Sequence, residues 1–336
     1  MKMDKWEQIV SADGYLIPYN LSFRESLYQG MNGRHVERFK LASDAETSYI
    51  FKPVTQVGQA EREVWVYENV LPLLPKIYPR LLARSLDPAA GWMIYEDLGH
   101  LSHDHGPEDL NAVIEAMAQW HRLPTDSWIG ARLVPPKPRV EAMAGELLQQ
   151  EAKVAGFMKE LHLPGRLLGD IAEISSGLGR NHVPLVLSHG DLHAGNYTRI
   201  EGRLYVLDWE HVHLNTPYWD LYHVLDMSHP IFPRKAPLTH KVRDRLLRRY
   251  WQLYVPRSSD ASGRIFAREY YLFAMVFSLW MLLLIDKDLS HGGGPWSSDQ
   301  LRIQQEETKY SLRSCARSLM ESDKAASGGK NNEAAG

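Results

Sequence analysis

Short runs that mix apolar and polar residues open the chain: residues 35–40 (HVERFK) and 48–54 (SYIFKPV) read as strands joined by the polar turn Ser43-Asp44-Ala45-Glu46. The segment Ala60 to Leu71 predicts a helix that ends at Pro72, because proline lacks the donor a helix interior needs. Leu110, Val113, Ile114, Met117 and His121 fall at the i, i+3, i+4, i+7 spacing of one helix face. Residues 141–179 suggest further helices, and Pro217 to Met227 another that starts at a proline. Leu185, Val186 and Leu187 form a short apolar run ending at Ser188, which suits a buried strand. Tyr197 to Ile200 and Leu204 to Leu207 flank Glu201-Gly202, so a hairpin is expected there. The run Phe273 to Ile285 is strongly apolar, yet it is far short of the roughly 20 residues that span a bilayer. It reads as a core helix.

The chemistry sits between that strand and that hairpin, in residues 189–208 (HGDLHAGNYTRIEGRLYVLD). A hairpin returns the chain to its start, so Asn196 before its first strand and Asp208 after its second should lie side by side and share a divalent ion. Magnesium takes oxygen ligands and usually only one or two carboxylates, the rest being phosphate and water. Asp191 is then left to face a hydroxyl as its base, His189 to orient the loop, and Gly190 to permit its backbone shape. A base carboxylate with an amide and a second carboxylate on magnesium is the set that phosphoryl transfer from a nucleotide requires.

H-x-D-x-x-x-x-N followed by an Asp at a strand end resembles the protein-kinase catalytic loop and its metal-binding Asp. With HGDLHAGN, and DWE in place of DFG, the chain looks like the aminoglycoside phosphotransferase and choline kinase family of small-molecule kinases. That resemblance implies an α+β, two-lobed protein-kinase-like fold. A small antiparallel-sheet lobe with one main helix is expected over residues 1–97, a mainly helical catalytic lobe over 98–322, and a disordered tail over 323–336.

The same resemblance implies the rest of the site. Lys52 matches the phosphate-binding lysine and Glu63 the glutamate that pairs with it, ahead of Glu61. Gly30 and Gly33 form either a phosphate-approaching loop or a plain hairpin turn. Backbone groups near Glu96 and Leu98 would meet the adenine edge of ATP or the base of GTP. Asp220 would accept hydrogen bonds from the catalytic-loop backbone, and His121 is read as a structural histidine rather than a ligand. Magnesium and a nucleoside triphosphate are the implied cofactors, with a hydroxylated small molecule as the partner.

Composition narrows the field. A formal charge of −3 over 336 residues leaves the basic stretch 238–256, with Arg243, Arg245, Arg248 and Arg249, as a solvated helix face, so neither nucleic acid nor membrane is expected as a partner. MKMDKWEQIV carries no signal-peptide core, which points to the cytoplasm. One cysteine, Cys315, leaves no internal disulfide and no intrachain thiol metal cluster.

Two other functions use the same residues. His189, Asp191, His193, His211 and His213 could ligate zinc in a hydrolase. A binding protein on the kinase fold would keep the shape and lose the chemistry, although Lys52, Glu63, Asp191, Asn196 and Asp208 are all present. For the acceptor, Asp286, Asp288, Glu306 and Glu307 suit a polycationic aminoglycoside, whereas Trp219, Trp251, Trp280 and Trp296 suit choline or a similar ammonium alcohol. HGDLHAGN with DWE leans toward an antibiotic-type acceptor, with a metabolite kinase for choline, ethanolamine, homoserine or methylthioribose as the alternative.

Overall fold

The structure is a computed structural model that describes residues 6, 8–30, 33–54, 58–87, 90–128, 133, 138–176, 184–234, 236–292 and 296–333, the side chains of Ser127 and of 324–333 excepted. In chain order its elements are β1 (Leu21–Gln29), β2 (His35–Leu41), β3 (Asp44–Pro53), α1 (Gln59–Asn69), β4 (Leu81–Ser85), β5 (Trp92–Glu96), α2 (Pro107–Trp120), α3 (Val140–Gln149), α4 (Glu151–Glu160) and α5 (Leu167–Ser176). Then follow β6 (Val186–Ser188), β7 (Tyr197–Ile200), β8 (Arg203–Val206), β9 (His213–Asn215), α6 (Tyr218–Leu225), α7 (His240–Tyr254), α8 (Asp260–Ser290) and α9 (Ser298–Glu333). The chain divides into two compact units: residues 1–102, 130–134 and 198–212 make one, and residues 103–129, 135–197 and 213–336 the other. The first unit thus takes in a stretch far downstream of residue 97, where the sequence alone suggested a single cut.

The first unit is built on a five-stranded sheet in the order β1-β2-β3-β5-β4, antiparallel throughout. Alternation along β3 sets its two faces. Tyr49 and Phe51 point to one side, where they pack with Trp6, Ile9, Leu16, Phe39, Trp92 and Ile94. Ile50 and Val54 join Val64 of α1 with Met93 and Tyr95 on the other. Lys52 shares that second face and is brought to α1 by the pleat. Each fully buried Phe in such a core contributes about 2 to 3 kcal/mol.

The second unit is mainly helical. The longest helices, α8 and α9, pack on each other, and α8 also contacts α3, α6 and α7. Phe273, Ala274, Met275, Val276, Phe277 and Leu279 are buried in α8, so its apolar run is core. No described helix is long and apolar enough to cross a membrane. Strand β6 pairs antiparallel with β9, with Ser188 opposite His213, and so anchors both ends of the segment that carries the motif.

Two expectations change. The tail from 323 was expected to be disordered, but α9 runs to Glu333, and 334–336 lie outside the described residues. Leu301, Leu312, Cys315, Ala316 and Leu319 bury one face of that helix, and a helix once nucleated propagates at one bond per residue. Arg243, read as part of a solvated face, is buried: its guanidinium pairs with Asp226 at 2.6 and 2.9 Å and donates to Ser314 at 2.9 Å. A basic helix reads as solvated when its carboxylate partner lies on another element.

Candidate active site

In the first unit one ammonium faces three carboxylates. Lys52 Nζ lies 3.1 Å from Glu63 Oε2, 2.6 Å from Asp208 Oδ1 and 2.9 Å from Glu210 Oε2. Burial acts to lower the Lys52 pKa, but Asp208, Glu63 and Glu210 together outweigh it and hold the ammonium well above the ordinary lysine value. Glu63 is itself buried, and that burial, with Glu210 and Asp208 adding to it, pushes its carboxyl up against the pull of Lys52. The Tyr95 hydroxyl donates to Glu63 at 2.6 Å, and the Gln59 amide donates to Glu210. One oxygen from each of Glu63, Asp208 and Glu210 lies within 4.8 Å of the others.

The hairpin presents two of those carboxylates. Glu201 and Gly202 both have positive φ, at 51° and 80°, as a two-residue primed turn demands. Strand β8 then delivers Asp208, which takes a left-handed conformation at φ 60° and ψ 58°. A non-glycine residue there carries backbone strain of about 1 to 3 kcal/mol, held by its surroundings. Trp209 is fully buried behind it, its Nε1 donating to the Val206 carbonyl at 3.0 Å, so the turn that follows Asp208 is fixed and Glu210 emerges beside it.

In the second unit Asp220 organises the loop that carries Asp191. Its carboxylate accepts from Ser188 Oγ at 2.6 Å, from the His189 amide at 2.7 Å, from the Gly190 amide at 3.1 Å and contacts His121 Nε2 at 3.1 Å. Burial alone would raise this carboxyl, yet the His121 and Ser188 hydrogen bonds and the nearby imidazoles hold it well below the usual carboxylate range. Trp219 Nε1 donates to the Gly190 carbonyl at 2.9 Å, and Gly190 itself has φ 89°, open only to glycine at low cost. His189 Nδ1 accepts from the Asp191 amide at 3.3 Å. Asn196 Nδ2 donates to the Asp191 carbonyl at 2.7 Å, which closes the loop.

Rings surround the same loop. His193 stacks on His229 at 4.0 Å between centroids, and Phe232 lies 5.4 Å from His229 and 5.6 Å from His193. Trp296 meets His229 edge-on at 5.7 Å. His193 Nε2 is 3.7 Å from Asp191 Oδ2. Burial, and then His193, push the His229 pKa down to about 4 against the pull of Asp191, so this imidazole is neutral at pH 7.

Lys52, Glu63 and Asp208 therefore meet in the first unit, and His189, Asp191, Asn196 and Asp220 in the second. Gly30 and Gly33 make the β1–β2 turn: the Gly30 amide bonds the Arg34 carbonyl at 2.8 Å and the Gly33 amide bonds the Gly30 carbonyl at 2.9 Å. Both amides are used within this segment. Glu96 ends β5 with its amide on the Arg80 carbonyl at 3.0 Å and its carboxylate on Arg80, while Leu98 sits in the turn that Asp97 closes on the Gly99 amide at 2.9 Å. Sequence reasoning missed Glu210 and Gln59. Only Glu210 had a local signal, as the last residue of DWE.

The zinc set does not gather. Among the described residues, the sole cluster of three metal-competent side chains is Glu63, Asp208 and Glu210. Of the acids expected to hold a polycation, Asp286 pairs with Lys153, Glu306 with Lys309 at 3.1 Å, and Glu307 accepts from Ser228. Of the tryptophans, Trp280 bonds Glu146 at 2.6 Å, Trp251 stacks on Phe266 and Trp219 is buried with its Nε1 on the Gly190 carbonyl, while Trp296 meets His229 of the ring wall.

A sequence model of the phosphotransferase enzyme family matches residues 32–264. A search of curated proteins returns no match. Among solved structures, the chain is similar to an ethanolamine kinase from Plasmodium vivax, at 15% identity over 89% of this chain and 83% of that one, with a TM-score of 0.58. It is similar to the choline kinase LicA from Streptococcus pneumoniae, at 15% identity over 87% and 94%, TM-score 0.52. It is also similar to aminoglycoside 2'-phosphotransferase-IIIa in its GDP complex, at 15% identity over 86% and 93%, TM-score 0.53. At these identities the likeness is one of fold.

Proposed function

The chain belongs to the phosphotransferase enzyme family, and we propose that it moves the terminal phosphoryl group of ATP or GTP to a hydroxyl of a small molecule. The observation that carries this reading is the partly buried Lys52 against Glu63, Asp208 and Glu210, with Asp208 held in a strained conformation. Three carboxylates on one ammonium leave an excess of negative charge that a divalent cation and its phosphates would complete. The donor set is all oxygen, which fits magnesium and not the nitrogen and sulfur preference of zinc. Asp208 and Asn196 are the residues that would hold the ion, and Glu210 belongs to the same carboxylate cluster as Asp208. Magnesium bound there offsets the charge that develops on the phosphate oxygens.

The chain's own residues do the rest. Lys52, oriented by Glu63, is placed to grip the inner phosphates. Asp191 accepts the acceptor's hydroxyl proton as that oxygen bonds to the terminal phosphorus and the bond from phosphorus to the bridging oxygen breaks, the nucleoside diphosphate leaving with the electron pair. Asp220 acts through the loop, fixing the His189 and Gly190 amides so that Asp191 is aimed before substrate arrives.

For the acceptor, the wall of His193, His229, Phe232 and Trp296 favours a compact alcohol of the choline or ethanolamine type. Ring faces attract an ammonium, and the neutral His229 sets no positive charge against it. An aminoglycoside-type acceptor is the second reading, favoured by HGDLHAGN with DWE, although Asp286, Glu306 and Glu307 are engaged with partners of their own. Incubation with magnesium and ATP or GTP against choline, ethanolamine, homoserine, methylthioribose and aminoglycosides tests this directly by mass. One phosphate added to an ammonium alcohol is expected; nucleotide binding with no transfer to any acceptor would make the chain a binding protein instead.

A further inference from the structure

Within the second unit, away from Asp191, lies an open cavity of about 830 Å³. His121, Tyr218 and Phe266 form its buried floor, and Trp251, Tyr254 and Glu269 its wall. The rings make one continuous surface: Trp251 stacks on Phe266 at 4.6 Å, and Tyr218 meets Phe266 at 5.1 Å. Trp251 is fixed by its Nε1 bond to Ser262 at 3.2 Å, and Gly263 leaves room for its ring. The Glu269 carboxylate takes one hydrogen bond, from the Tyr218 hydroxyl at 2.7 Å, and no described lysine or arginine pairs with it. Asp126 and Arg122 offset each other at the margin, and the Glu269 carboxylate is the anionic group beside the aromatic wall. Leu185 and Ile265, 37% and 51% exposed, stand on the rim. Exposed aliphatic residues beside an aromatic wall with a carboxylate present the chemistry that takes an amphiphilic cation.

The floor of this cavity also touches the loop machinery. His121 Nε2 contacts Asp220 at 3.1 Å, and Asp220 in turn accepts the His189 and Gly190 amides. His121 Nδ1 meets the Tyr250 hydroxyl at 2.7 Å, and Tyr250 stacks on Tyr254 of the wall at 5.5 Å. A group seated against His121 and Tyr254 is thus one side chain from Asp220.

We propose that this cavity is a second binding site, distinct from the site at Asp191, for a hydrophobic organic ammonium ion, and that occupancy stiffens the Asp191 loop through His121 and Asp220. The site is read from binding alone, independently of any phosphotransferase activity. The full chain is titrated with benzyltrimethylammonium and with its neutral isostere neopentylbenzene, following tryptophan fluorescence and hydrogen exchange. The cation is expected to bind at least roughly 10-fold more tightly than the isostere, and to weaken at least roughly 10-fold in Glu269→Gln and Trp251→Ala. Ile265→Arg, on the exposed rim where folding is not at stake, should weaken it similarly by repulsion. Binding should survive Asp191→Ala, and the His189 and Gly190 amides should exchange more slowly when it occurs. Equal binding of the isostere, indifference to Glu269→Gln and Ile265→Arg, or loss in Asp191→Ala would overturn the site. Unchanged exchange at His189 and Gly190 would overturn the coupling.

Discussion

Asp220 is fully buried and Lys52 largely so, and the two charges are satisfied in opposite ways. Asp220 is one carboxylate with a hydroxyl, two amides and an imidazole arranged around it, so its hydrogen-bonding is complete within the protein. Lys52 is one ammonium shared among three carboxylates, a cluster whose charges do not balance. A balanced buried group specifies shape, because every partner lost leaves an unpaired charge or donor. An unbalanced one stores an appetite for a ligand. The contrast separates the part of the molecule that holds the chemistry still from the part that is built to be finished by what it binds.

The largest effect should come from breaking the balanced region. Asp220→Ala leaves the Ser188 hydroxyl, two amides and His121 without their acceptor, and urea unfolding should register a loss of about 3 to 5 kcal/mol. A loss under about 1 kcal/mol would remove Asp220 from its organising role. Asp191 sits on the loop that Asp220 holds without belonging to that hydrogen-bond set. Asp191→Ala should therefore lower turnover roughly 10²-fold or more, with nucleotide affinity and unfolding midpoint nearly unchanged; near-normal turnover would refute its assignment as base.

Acid should act next. His229 has its pKa pushed down to about 4 in the folded chain, against an ordinary value near 6.5. Between those values the unfolded chain binds the extra proton, so this contribution is complete above pH of about 6.5 and is lost as pH falls toward 4. His229→Gln should flatten that part of the stability curve by about 1 to 2 kcal/mol, allowing for screening of a partly exposed ring. A slope that persists unchanged would assign it to another group.

The smallest effect should come from the unbalanced region. Glu210→Gln removes one of three carboxylates from Lys52, and without divalent ions it should change stability by less than about 1 kcal/mol in either direction. The same change should weaken magnesium-dependent nucleotide binding. A large stability loss would mean that the cluster is a structural ion pair after all.

How much of this was legible along the chain depends on the range of each interaction. The hairpin at Glu201-Gly202 was readable because its turn needs positive φ at adjacent positions and the residues announce it. The buried face of α2 followed from its period. Arg243 was misread because its carboxylate, Asp226, lies outside its own helix, where periodicity carries no information. The same limit applies to Gln59 and Glu210, which meet across 151 residues, and to Asp286 with Lys153. His121 reads from its helix face as structural, and its contact with Asp220 and its place on a cavity floor are products of packing that no local pattern encodes.

The unbalanced cluster is tested most directly by calorimetric titration of ATP and GTP, with and without magnesium, into the native chain and Asp208→Ala. The expected result is binding that requires magnesium and weakens at least roughly 10-fold in Asp208→Ala, since that carboxylate is both ligand and part of the excess charge. Equal affinity in the presence of chelator, or in Asp208→Ala, would contradict the reading of Lys52, Glu63, Asp208 and Glu210 as a metal and nucleotide site.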